Sequence, residues 1–332
     1  MIQMILTQIT PPTVPDSAAQ WMPDTTEGFH QGMMSLLEKA IQTIQPNLME
    51  AAGVSLRLMA VVLLVSIVAL IPGSKSPAVE LVGAMGIGAL LLNNTNTMIK
   101  LGIRTVTDMS SYGKLLLPVM TSALAAQGGI AGSTALYAGT VIFDGLLSSL
   151  LQKILNPMVY IYLVLCTANS ALGEEMLKKL AGFVKWFSIW ILKTVLYIFT
   201  GYMGITGVIS GTTDAATLKA AKLTISGVVP VVGGILSDAS EAVLVSAGLV
   251  RNAAGIYGIF AILAIFLTPF LRIGCHYLLL KLTGTLCAVF GVKRCTDLIG
   301  DFTTAMGLLL AMTGSVCLLQ LISTVCFLRG VG

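Results

Sequence analysis

The chain has 332 residues, of which 56% are hydrophobic and only 10% are charged. Soluble domains carry about 25% charged residues, so this composition excludes a soluble globular protein and indicates an integral membrane protein. The length leaves room for about six to eight spans of about 20 residues each. The net charge of +4 is modest and spread along the chain, so we expect membrane lipid but no nucleic acid among its partners.

Residues 1–52 form a distinct N-terminal segment, with five acidic residues against the single base Lys39. Apolar residues recur at helical spacing from Met33 to Ile44, which predicts an amphipathic helix that Pro46 ends. We expect this helix to lie outside the cytoplasm, either on the membrane surface or on a partner protein. The apolar start has no basic region before it, so either a signal peptide was removed earlier or the first span directs insertion.

Residues 53–112 hold the first predicted span, Val54 to Ile71, and a second apolar run, Val79 to Leu92. The second run is short for a span, and it ends at a polar Asn-Asn-Thr-Asn cluster at residues 93–96. It is therefore either a very short span or a re-entrant hairpin. The hairpin keeps the three bases that follow on the inner side, as the positive-inside rule requires, and we predict it for that reason.

Two later parts of the chain share a layout. Pro118 recurs as Pro230 and Pro157 recurs as Pro269, in both cases 112 residues later, and six further apolar residues coincide at the same offset. This pattern predicts two copies of one helical unit, an organisation found in many transport proteins. The predicted copies are residues 113–209 and 223–328.

Paired glycines follow the first proline of each copy, Gly128-Gly129 in one and Gly233-Gly234 in the other. A break of this kind leaves backbone groups unpaired, which at membrane depth requires protein or water as neighbours. We expect the apolar residues on the two sides of Gly128 to form one interrupted segment. The predicted fold is an all-α, polytopic membrane helical bundle with an internal duplication and re-entrant or broken helices.

Ionisable residues inside the apolar runs are the strongest chemical signals, because charge is costly in lipid. Asp144 lies deep in an apolar run and is too short to snorkel far, so it needs a partner or water. Lys193, about two turns into the span that begins at Trp186, is a candidate partner. Snorkelling near a span end is the simpler explanation for Arg272 and Lys281. The candidate path or gate residues are Pro118, Gly128, Gly129, Asp144, Lys193, Pro230, Gly233 and Gly234.

The sequence gives little sign of catalytic chemistry. It has only two histidines, His30 and His276, and no HExxH, zinc-type or P-loop motif. The six cysteines form no CxxC pair and mostly fall inside apolar runs, which is typical of small hydrophobic residues in helix cores. We therefore predict no catalytic, cofactor-binding or metal-binding residues, and we do not expect an enzyme.

Five longer strings occur in order within residues 100–332. They are GKLLLPV at 113–119, ALYAG at 135–139, LKTVLYIFTG at 192–201, VVPVVGGILSDASEA at 228–242 and IGDFTTAMG at 299–307. In these strings the chain resembles the stage III sporulation protein AE family of endospore-forming bacteria. Members of that family usually begin with a cleavable signal peptide, and no catalytic residues are assigned to it.

The resemblance implies a role in sporulation, in the mother-cell membrane that surrounds the forespore. The protein would be part of a multi-protein channel joining the two compartments, with the other stage III A-operon proteins as partners and, through them, stage II protein Q. Glycines at 201, 204 and 207 would let helices approach closely, within one chain or in a homo-oligomer. The alternative is a self-contained transporter with its substrate site between the two copies.

Overall fold

The computed structural model describes residues 12–23, 29–71, 77–126, 130–205 and 253–329. These residues form eight α-helices, and no strand occurs among them. The helices are α1 Asp16–Ala19, α2 Phe29–Ala69, α3 Pro77–Ala126, α4 Ile130–Leu150, α5 Asn156–Leu172, α6 Glu175–Ile205, α7 Ala253–Cys287 and α8 Lys293–Arg329. Six helical stretches in the described part are long and apolar enough to cross a membrane. The chain is therefore an all-α, multi-pass membrane protein.

One of these six stretches combines α4 and α5. A π-helical turn, Leu151–Leu155, joins the two helices without a loop. Pro157, near the start of α5, has no backbone N–H and cannot continue the ordinary helical bonding pattern, which accounts for a π turn just before it. Gly173 ends α5 with a φ of 74°, a left-handed conformation that glycine adopts without strain.

Helix α2 continues through Pro46, so the prediction that this proline ends a separate amphipathic helix is wrong. Contacts with α7 hold α2 on both sides of the proline. Before it, the rings of Phe29 and Phe260 stack with centroids 5.4 Å apart. After it, the Glu50 carboxylate accepts a hydrogen bond of 2.7 Å from Arg272. The predicted boundary between residues 52 and 53 falls inside this helix.

Helix α3 also runs without interruption, so the predicted re-entrant hairpin at Val79–Leu92 is wrong. The polar residues that follow it do not form a turn but continue the helix, and one of them is paired with a neighbouring helix. Asn96 accepts a hydrogen bond of 2.9 Å from the Tyr160 hydroxyl. Residues 93 and 94 line a cavity of about 290 Å³ that Glu50 and Arg57 also line.

Pro118 lies inside α3 and does not break it. Leu116 and Met120, on the two sides of the proline, are buried, and Leu116 packs against Gly258 of α7. These contacts keep the last part of the helix in place, although a proline removes one backbone hydrogen bond. Pro118, one of the candidate path or gate residues, therefore does not interrupt its helix.

Helices α3 and α4 run in opposite directions. Three side-chain contacts establish this. From one contact to the next, the residue number on α3 falls while the residue number on α4, the π turn and α5 rises. The contacts are Ser110 with Asp144, Thr107 with Gln152, and Asn96 with Tyr160. What we predicted as one interrupted segment is thus a pair of antiparallel helices. Gly128 and Gly129 lie outside the described residues.

Helix α8 occupies the centre of the bundle and packs against α3, α4, α5, α6 and α7. Every residue from 305 to 321 is buried, as expected of a helix that is apolar on all sides. Its hydroxyl groups bond within the helix: Thr313, Ser315 and Ser323 each donate to the carbonyl four residues earlier. Such bonds satisfy the hydroxyls without a partner from another helix.

The internal duplication and the boundaries of the two copies stay predictions. Pro230, Gly233 and Gly234 lie outside the described residues, together with the whole of residues 206–252. Residues 175–185 are continuous in α6 with the span that begins at Trp186.

Candidate functional site

Three helices bring polar side chains together inside the bundle. Asp144 of α4 and Ser110 of α3 are each only 3% exposed, and Gln320 of α8 is 4% exposed. The Ser110 hydroxyl donates a hydrogen bond of 2.9 Å to Oδ2 of Asp144. The Gln320 amide donates to Oδ1 of the same carboxylate over 3.4 Å. We call Asp144, Ser110 and Gln320 the polar cluster.

The Gln320 amide makes a second contact. Its nitrogen also donates to the backbone carbonyl of Met109, next to Ser110 on α3. This orients the amide, because the oxygen would repel the Met109 carbonyl if it took the place of the nitrogen. The polar cluster thus joins α8 to α3 and α4 through one side chain.

A glycine makes this close approach feasible. Gly113, one turn after Met109 on α3, faces the Gln320 amide and has no side chain to displace it. Two helices come closest where a small residue stands at the contact. The packing of α3 against α8 therefore explains the glycine at this position.

Two polar groups of the cluster and its neighbourhood are not satisfied. The Gln320 amide oxygen and the Thr140 hydroxyl are buried and have no hydrogen-bond partner among the described residues. Thr140 lies one turn before Asp144 on α4. Each unsatisfied buried polar group costs about 1–3 kcal/mol of stability. Packing alone therefore does not explain why these polar groups are in the interior.

The other predicted site residues do not join this cluster. Lys193 of α6 is exposed, and within the described part of the chain no ion pair links it to Asp144. Pro118 is exposed on α3. The prediction that Lys193 is the partner of Asp144 is wrong, since Ser110 and Gln320 take that place.

Sequence reasoning missed Ser110 and Gln320. Gln320 is the single amide in the apolar run from residue 305 to 328, and an amide in such a run calls for a polar partner. That signal could have paired it with Asp144. Ser110 gave no comparable signal, because serines in membrane helices commonly bond to their own backbone.

A second group of polar contacts lies nearer the start of α8. The Tyr162 hydroxyl of α5 donates to Asp301 over 3.3 Å. Arg294 lies 4.0 Å from the Glu80 carboxylate of α3 and donates to the Ala171 carbonyl of α5 over 3.5 Å. Helix α8 is thus tied by polar groups near both ends.

The described part of the chain shows no candidate metal site. It contains no group of three or more His, Cys, Asp or Glu side chains placed to hold a metal ion. All six cysteines are buried, and none of them is part of a disulfide. They pack as small apolar residues.

A sequence model of the stage III sporulation protein AE family matches residues 26–329 of this chain. The chain belongs to that family. The match includes all three helices of the polar cluster. Among curated proteins, stage III sporulation protein AE of Bacillus subtilis (strain 168) is 27% identical over 214 residues. That alignment covers 63% of this chain and 53% of the relative, so the chain spans about half the length of that family member. No solved structure matches the chain.

Proposed function

We propose that this protein is a membrane subunit of the channel complex that joins the mother cell and the forespore during sporulation. The observation that carries the proposal is the family match over residues 26–329, nearly the whole described bundle. The protein acts by assembly with the other stage III A-operon proteins, and through them with stage II protein Q. It lies in the mother-cell membrane around the forespore and acts without catalysis.

In this role the polar cluster fixes the arrangement of the bundle. Apolar contacts between membrane helices are not directional, so they leave the rotation of each helix loosely defined, whereas hydrogen bonds define it. The bonds from Ser110 and Gln320 to Asp144 set α3, α4 and α8 in one register. That register determines which side chains the bundle presents to neighbouring subunits.

A transporter is the second candidate, and one observation favours it. Asp144 is buried and forms no ion pair with any residue of the described part of the chain, and it lies beside the unsatisfied Gln320 oxygen and Thr140 hydroxyl. Acidic residues inside membrane helices often handle ions or protons. In this reading the protein moves a solute alone, and Asp144 is essential for the movement.

Co-purification from sporulating cells tests the proposal. A tagged copy replaces the native protein, and the other stage III A-operon proteins recovered with it are quantified. We expect recovery with the wild type, reduced recovery with Asp144→Ala at equal membrane abundance, and normal recovery with Lys193→Ala, the exposed control. Solute transport by the purified protein in vesicles, abolished by Asp144→Ala, would instead establish the transporter.

A further inference from the structure

A groove runs along the outside of the bundle between α3 and α5. It consists of three cavities of about 540, 350 and 420 Å³. The first and second share Ser170, and the second and third share Leu92 and Val164. The groove is therefore continuous from the start of α8 to the hydrogen-bonded pair Asn96 and Tyr160.

The cavity at the start of α8 is charged with both signs. Four bases and four acids line it: Lys178, Lys179, Lys293, Arg294, Glu80, Glu175, Asp297 and Asp301. Some of these charges are paired within the protein, Arg294 with Glu80 and Lys179 with Glu175. Lys178, Lys293 and Asp297 have no ion-pair partner within 4 Å among the described residues, so they remain for a ligand that carries both charges.

The middle of the groove is apolar. Its floor is made of small side chains on both helices, Ala84 of α3 with Ala168 and Ala171 of α5. Met85 and Val164 stand at its edges, 60% and 65% exposed. Exposed apolar side chains around an apolar groove indicate that it faces lipid. From Ala171 to Tyr160 the groove is about 17 Å long at the rise of an α-helix, close to the hydrocarbon depth of about 15 Å in one leaflet.

Ser170 lies at the junction of the charged and the apolar cavities. It is only 9% exposed, and its hydroxyl has no hydrogen-bond partner among the described residues. In a phospholipid the glycerol esters lie at the corresponding level, between the headgroup and the acyl chains. An unpaired donor at this level fits an ester oxygen.

We propose that the groove binds one phospholipid whose headgroup carries both a phosphate and a primary ammonium, as phosphatidylethanolamine does. The phosphate lies at Lys178 and Lys293, and the ammonium lies at Asp297. Ser170 donates to an ester oxygen, and one acyl chain lies along Ala168 toward Tyr160. A purely anionic headgroup fits less well, because it would meet four acidic side chains. This site is independent of the channel role.

Native mass spectrometry of the purified protein tests the proposal. The protein is delipidated in detergent and then supplied with equal amounts of phosphatidylethanolamine and phosphatidylglycerol. We expect about one ethanolamine lipid bound per chain, and an affinity about tenfold lower in the double variant Lys178→Ala and Lys293→Ala, since charge-assisted bonds of this kind are worth about that much. The Ala168→Trp variant fills the groove and should abolish binding.

Two variants on other surfaces serve as controls. Lys153→Ala removes an exposed base on the π turn, and Leu282→Trp adds bulk on the exposed face of α7. Both should bind lipid as the wild type does. Preference for phosphatidylglycerol, or unchanged binding in the lysine variant, would overturn the proposal. Lys178 and Lys293 are exposed, so replacing them should not disturb folding. The double lysine variant therefore tests the proposal even if Ala168→Trp does not fold.

Discussion

Gly113 of α3 lies so close to Gln320 of α8 that a Cβ at position 113 would come within 2.7 Å of the amide nitrogen. The amide that would have to move is the one that bonds Asp144 and the Met109 carbonyl. The absence of a side chain at position 113 therefore allows Gln320 of α8 to form hydrogen bonds with both α3 and α4.

We expect Gly113→Ala to destabilise the protein by about 1–2 kcal/mol, because the displaced amide loses its hydrogen bonds. The measurement is the thermal unfolding midpoint in detergent. Gly182→Ala on α6 is the matched control, since a Cβ there meets nothing within 4 Å. That change should be neutral or stabilising by up to about 1 kcal/mol from helix propensity. Equal effects of the two substitutions would contradict the close contact.

Asp144→Ala should destabilise the bundle by about 1–3 kcal/mol, because it leaves the Ser110 hydroxyl and the Gln320 amide without their acceptor. Combining it with Gln320→Leu should cost less than the sum of the two single changes, since both remove the same bond. Unfolding in detergent measures all three variants. Asp108→Asn serves as the control, because its pair with Arg104 is on the surface and such pairs contribute about 0–1 kcal/mol. Strict additivity would show that Asp144 and Gln320 do not interact.

The Glu50–Arg272 pair should contribute modestly to the docking of α2 on α7. The two side chains are 43% and 36% exposed, so solvent screening limits their coupling to about 0.5–1 kcal/mol. A double-mutant cycle with Glu50→Gln and Arg272→Gln measures this energy. It should shrink at high salt, because partly exposed charges are screened. A coupling of zero at low salt would mean that the pair does not hold α2.

The antiparallel arrangement of α3 and α4 predicts a specific cross-link. The Gln152 amide nitrogen lies 3.3 Å from the Thr107 hydroxyl, so a short bifunctional thiol reagent should cross-link cysteines placed at these two positions. Cysteines in place of Thr107 and Tyr160 should not be cross-linked, because the partner of Tyr160 on α3 is Asn96, about 16 Å further along the helix. Electrophoretic mobility after treatment with the reagent reports the outcome. A cross-link in the second pair but not in the first would contradict the antiparallel register.

Composition and hydropathy were enough to predict an all-α membrane bundle, and burial of Asp144 followed from its place inside an apolar run. The continuity of the helices through their prolines was not predictable in this way. Pro46 and Pro118 are sequence signals for a helix end, but packing outweighs the one lost hydrogen bond. Helix α7 contacts α2 on both sides of Pro46, and it contacts Leu116 next to Pro118. Local signals do not include such contacts.

The partners of Asp144 were out of reach for a related reason. Ser110 is 34 residues away and Gln320 is 176 residues away. Their meeting depends on how α3 and α8 rotate against α4, which no local pattern specifies. Lys193 was the obvious candidate because its charge is opposite to that of Asp144, but it lies on an exposed face of α6.

The position of α8 has a consequence for biosynthesis. This helix leaves the ribosome after all those that surround it, yet it fills their common interior from residue 305 to 321. The earlier helices must therefore enter the bilayer with their inner faces still uncovered, and they stay loosely associated until translation reaches residue 329. A chain arrested before Lys293 would insert into the membrane but would lack the central helix on which the other helices pack. Membrane proteases should therefore degrade it readily.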